Sequence, residues 1–122
     1  MIKDLTELEG LRLEAFRVSK GSYTFELDGN INEKQVSLLI STSHQVTDVP
    51  GGNSDLEGRS SEVIWPLLES TVDSVRVEET ERRSEIIFSF PLGCIVMWKN
   101  EPSSGELVFV KNRLGEEWSV FL

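Results

Sequence analysis

The run Ile86–Trp98, IIFSFPLGCIVMW, is the most apolar stretch of the chain and the one that most narrows its fold. In an extended backbone Ile86, Phe88 and Phe90 project to one side and Ile87 to the other. Cys94, Val96 and Trp98 then alternate with Ile95 and Met97. Apolar residues on both faces belong to strands inside a sheet, covered from both sides, rather than at its edge. Between the two runs lies Pro91-Leu92-Gly93. Pro91 presets φ for the first corner of a type I turn, and Gly93 is expected to take a positive φ that closes a three-residue hairpin. The reading is a central β-hairpin with Ile86–Phe90 and Cys94–Trp98 as neighbours.

The remaining chain supplies further short strands. Leu11, Leu13 and Ala15 alternate, and Phe16 and Val18 continue in the opposite phase, which predicts a strand with a β-bulge. Ser19–Ser22 is a turn, and Tyr23, Phe25 and Leu27 form a half-buried strand. Asp28-Gly29 reads as the next turn, with polar residues as far as Gln35. Val36, Leu38 and Ile40 open another strand. Val72, Val75 and Val77 give a strand with a change of phase, and Glu79–Ser84 a charged turn. Leu107–Val110 and Trp118–Leu122 are the last two strands. Helix is confined to Leu5–Gly10 and Trp65–Ser70, where Pro66 suits a first helical position. The fold class expected is mainly β with little helix: an antiparallel sandwich or partly open barrel of about eight strands.

The order repeats. Residues 5–42 and 65–99 each read as a helical turn followed by three strands, with Phe25-Glu26-Leu27-Asp28-Gly29 answering Phe88-Ser89-Phe90-Pro91-Leu92-Gly93. Residues 44–61 join the two units and are rich in glycine, serine and asparagine. So long an irregular stretch is usually functional or mobile, and 48–60 is expected to be the least ordered internal segment. Neither flank alone is long enough for a core, so the 122 residues are expected to form one domain.

Charge narrows the partners. With 21 acids against 12 bases the net charge is −9, which opposes binding to nucleic acid or anionic membranes and favours a basic partner. No segment approaches the roughly 20 apolar residues of a membrane helix. The acidic start, MIKDLTELEG, is unlike a signal peptide, and one cysteine cannot form an internal disulfide, so a cytoplasmic protein is expected.

No phosphate-cradling, zinc or nucleophile-elbow motif is present, so the chain is expected not to be an enzyme and to need no cofactor or metal. Cys94 falls in the most buried predicted strand and is expected to act as a small hydrophobe. His44, the one histidine, lies in a polar loop. Asp48, Asp55 and Glu57 are loop carboxylates without EF-hand spacing. Glu78, Glu79 and Glu81 mark a hairpin tip beside Arg82 and Arg83, and Glu101 and Glu106 bracket another. The ordinary role of such residues is a solvated turn. Asp48, Asp55, Glu57, Glu78, Glu79 and Glu81 are nonetheless the candidate partner-binding residues, as parts of an anionic face. Trp65, Trp98 and Trp118 are expected in the core, and any one left exposed would be a binding hot spot.

The alternating Phe-x-Leu/Phe turns and the closing Glu116–Val120, EEWSV, resemble small bacterial immunity proteins of contact-dependent growth inhibition and related polymorphic toxin systems. The resemblance lies in size, acidity, repeat and terminal tryptophan strand. It implies a cytoplasmic protein that binds the toxin domain of a secreted effector and covers its active site. Many such toxins are nucleases with basic clefts, where carboxylates can take the place of phosphates. The group has no shared binding motif, so the resemblance assigns no contact residue. The alternative is an acidic secretion chaperone or other protein-binding adaptor. Such chaperones carry long amphipathic helices at both ends, whereas Glu117–Leu122 reads as a strand. A small-ligand-binding barrel or an enzyme ranks third, since it requires a cavity with convergent polar groups.

Overall fold

In the computed structural model, which describes residues 4–102, 105–115 and 117–120, the apolar run is the central hairpin of one of two antiparallel sheets. A 3-10 turn, Leu5–Leu8, precedes β1 (Arg12–Ser19), β2 (Ser22–Ile31), β3 (Lys34–Thr42) and β4 (Gln45–Thr47). A short helix α1 (Ser60–Ile64) runs into a 3-10 turn at Trp65–Leu67. Then follow β5 (Ser74–Glu79), β6 (Arg83–Phe90), β7 (Gly93–Asn100), β8 (Val108–Asn112) and β9 (Glu117–Val120). One sheet has the order β1-β2-β3-β8-β9 and the other β4-β7-β6-β5. The protein is thus mainly β, built as two facing sheets rather than a closed barrel.

Residues of both sheets share one core. Phe25 of β2 meets Phe88 of β6 edge to face, ring centroids 4.9 Å apart, amid Leu13, Leu38, Ile40, Ile86 and Ile95. Edge-to-face packing sets the positive ring edge against the negative face. The outward side of β6 and β7 carries a second, smaller cluster of Ile87, Val96 and Trp98, with Cys94 packed against it. This explains the two-faced apolarity of the central run.

Several local readings are corrected. Phe90 pairs with Gly93, so the turn is the two-residue Pro91-Leu92 and Gly93 is a strand residue without positive φ. Asp28-Gly29 is not a turn, because β2 runs on to Ile31. The chain reverses at Asn32-Glu33, both of which have positive φ (51° and 68°), the geometry of a type I′ hairpin. Gly29 answers a different need: a Cβ there would come within 2.7 Å of Leu11 Cδ2. The expected bulge in β1 is present, as the register shifts between Leu13 and Ala15. Val72 precedes β5 and its neighbour Thr71 bridges to Arg12. The residue 44–61 linker is not irregular throughout: β4 pairs with β7 inside it and α1 begins at Ser60. Leu56 is fully buried in the shared core, and its amide donates to Val46 O (3.2 Å). Phe121 and Leu122 lie outside the described residues, as does Glu116. Among the described residues no helix is long and apolar enough to cross a membrane.

The two sheets follow one plan. In each, a helical turn leads into a three-strand meander, β1-β2-β3 or β5-β6-β7. The next strand then crosses to the opposite sheet: β4 joins β7, and β8 joins β3. At the centre Arg12 faces Thr71, an offset of 71 − 12 = 59 residues. The hydrogen bonds around this point come in matched pairs. Gly10 N donates to Val72 O and Glu69 N to Leu13 O; Val72 N donates to Leu11 O and Leu13 N to Ser70 O, at 2.8–2.9 Å. Shifting each bond by 59 residues gives its mate. Gly10 and Glu69, matched by the same shift, both have positive φ (87° and 68°). Phe16 pairs with Phe25, and Val75, 59 residues on, pairs with Phe88. The Phe25–Phe88 contact therefore joins corresponding positions of the two halves.

Candidate protein-binding surface

The six acids singled out from the sequence fall into three settings. Asp48 is half-buried and paired with Arg59 (3.4 Å), whose guanidinium also reaches the carbonyls of Asp55 and Ser54. Asp48 therefore ties down its own loop. Asp55 accepts hydrogen bonds from the Tyr23 hydroxyl and from the Glu57 amide (2.7 Å). Burial raises the Tyr23 pKa above its ordinary value, and the Asp55 bond and the Asp55 and Glu57 charges push the same way. Asp55, Glu57, His44, Lys20 and Tyr23 line one open cavity of about 450 Å³. Glu78, Glu79 and Glu81 are exposed on the β5–β6 hairpin, where Glu78 forms a pair with Arg76 (3.4 Å) in which both side chains are more than half exposed. Such a pair contributes little to stability.

Arg83, the first residue of β6 after that turn, faces the other way. Its guanidinium lies 3.8 Å from the centroid of the Trp98 ring and donates to Gly52 O (2.7 Å), Asn53 Oδ1 (2.9 Å) and Glu85 (2.8 Å). Glu85 in turn accepts from Gly51 N (2.8 Å). These bonds clamp residues 51–53 to the outward face of β6 and β7. The glycine-rich loop is therefore held at both ends, by Arg59 and by Arg83.

The tryptophans divide. Trp98 is buried, as expected, though in the outer cluster rather than the shared core. Trp65 is not in the core: 76% of its surface is exposed. The side chain of Trp118 lies outside the described residues. Cys94 is half-buried against the outer cluster and within 3.7 Å of Ser89 Oγ, a correction to its expected full burial.

Trp65 borders an apolar hollow of about 380 Å³ lined by Ala15 and Phe16 of β1, Ile64 of α1, Leu68 after the 3-10 turn, and Glu14. In a segment wound as a helix from Ser60, Ile64, Leu67 and Leu68 form the inward stripe, and Trp65 falls about 100° from Ile64. That angle leaves the indole at the rim. The sequence signal was available once α1 was extended back to Ser60, but Pro66 marked the segment as starting at Trp65. Glu14 is ion-paired with Arg12, and Glu62 on α1 and Glu69 just past the 3-10 turn are exposed.

No protein-family model, curated protein or solved structure matches this chain. Among the described residues no group of three or more His, Cys, Asp or Glu side chains is placed to hold a metal ion.

Proposed function

We propose that this chain is a protein-binding module of the immunity type, which neutralises a basic toxin domain by covering it and turns nothing over itself. The observation that carries the reading is Trp65, exposed on an apolar hollow in a chain of net charge −9. Exposed tryptophans over apolar hollows are typical anchors of protein interfaces, and acidic surroundings speed encounter with a basic partner. Asp55, Glu57, Glu78, Glu79 and Glu81 then act as rim charges, which alter association rate more than dissociation rate. A cytoplasmic setting and a secreted effector as partner belong to the same proposal. A second reading, an adaptor that holds an extended segment of its partner, is favoured by the position of β1 at the edge of its sheet beside the hollow.

The test is co-expression with the protein domain encoded next to this chain. Immunity predicts that cells survive only when the chain is present and that the two proteins co-purify. Survival without co-purification points to an enzyme acting on the toxin or its damage. Co-purification with an unfolded, non-toxic segment selects the adaptor.

A further inference from the structure

The hollow beside Trp65 is a departure from the fold's own plan. In the first half the turn Leu5–Leu8 packs directly onto the edge strand β5 of the other sheet. The corresponding arrangement would seat α1 and Trp65–Leu67 on β1. There the helical segment stands off and the hollow remains. The 59-residue shift matches Leu5 with Ile64 and Leu8 with Leu67, which keep an apolar inward side in both halves. It matches the exposed Thr6 with the exposed Trp65. A threonine on a solvated turn needs nothing to cover it; a tryptophan there exposes a large apolar surface.

β1 is the edge of its sheet. Its residues 11–13 are bonded across to 69–72, and past the bulge the strand has no neighbour on that side among the described residues. An edge strand presents alternate N–H and C=O groups outward, ready to pair with another chain. Such an edge directly adjoins an apolar hollow with a tryptophan at its rim. The charge near it favours a cation: Glu14 lines the hollow, exposed Glu62 and Glu69 follow the lining residues Ser61 and Leu68 in sequence, and of the nearby bases Arg12 is committed to Glu14 and Arg59 to Asp48, while exposed Arg17 follows Phe16.

Resting on the protein-binding reading, the geometry points to an extended, basic segment of a partner protein that adds as a strand to β1 and places one apolar side chain in the hollow against Trp65. A second copy of this chain is disfavoured as occupant, since each copy carries a net charge of −9.

The experiment is selection of binders to the full chain from a displayed library of random ten-residue peptides, followed by affinity measurement on the recovered peptides. The expected binders are rich in Lys and Arg around one aromatic or aliphatic residue. Trp65→Ala should weaken them at least tenfold while Trp65→Phe retains most of the affinity, and Thr6→Ala should leave it unchanged. N-methylation of one alternate set of peptide amides should abolish binding and methylation of the other set should not, the signature of strand addition. The inference is overturned by recovery of no binders, by acidic or uncharged binders, by binding indifferent to Trp65→Ala, or by equal tolerance of both methylation sets. A self-association that Trp65→Ala dissolves would make a second copy the occupant and also overturn it. In each of these cases co-purification with the toxin domain decides the broader protein-binding reading separately.

Discussion

The two helical turns of this protein enter equivalent places and behave differently. Leu5–Leu8 packs on β5, with Leu8 fully buried at that corner. Ser60–Leu67 meets β1 with a hollow between and a tryptophan outside. Local sequence accounts for the contrast. The first turn is four residues long and capped by Asp4, whose carboxylate accepts from the Thr6 amide (2.9 Å). The second is preceded by a full turn of α-helix, without a side-chain cap at Arg59, and carries Pro66 near its start. The second segment is thus the longer of the two, and its indole points outward, 76% exposed. Where two halves share a plan, the place at which one departs from it locates a surface that packing alone does not require.

The comparison is tested most severely at the point the two halves share. Phe25→Ala and Phe88→Ala should each cost about 3–5 kcal/mol in denaturant unfolding, the usual loss for a buried aromatic. Equivalent positions in one core should give similar values. A loss below about 1 kcal/mol at either would mean that the halves are not packed as equals. A smaller effect is expected at the matched left-handed residues. Gly10→Ala puts a side chain where φ is +87° and should cost about 1–2 kcal/mol, whereas Glu69→Gly relieves the same conformation and should gain less than about 1 kcal/mol. Opposite signs support the correspondence, and equal signs break it. The smallest effect belongs to Trp65→Thr, which copies Thr6 into the second half. Being 76% exposed, Trp65 should change unfolding stability by no more than about 0.5 kcal/mol. A large loss would show that Trp65 holds the helical segment in place rather than waiting for a partner.

The sequence by itself determined the class and much of the order of this fold. Period-two alternation around Phe25, Val36–Ile40 and Ile86–Trp98 needs only the geometry of an extended chain to be read. The phase slip near Ala15 announced its bulge, and the two-faced apolarity of the central run announced cover on both sides. Turns were less legible where one residue type serves two needs. Gly29 looked like a turn because glycine usually marks one, yet it is there to let Leu11 approach. Asn32 and Glu33 adopt the left-handed geometry with little to advertise it.

Only the tertiary structure decided what the linker does and where the candidate binding surface lies. Glycine, serine and asparagine in residues 48–59 indicate a weak local preference, but Arg83 and buried Leu56 anchor that loop through contacts distant in sequence, and Arg59 braces it from within. The exchange of β4 and β8 between sheets is likewise set by shared packing, because a strand's own pattern does not say which neighbour it will join. Trp65 shows the same limit at the candidate site. Its apolar character was evident from composition, but its exposure follows from how far a helical segment stands from β1, a distance set by the packing of Ile64, Leu67 and Leu68 and by no residue acting alone.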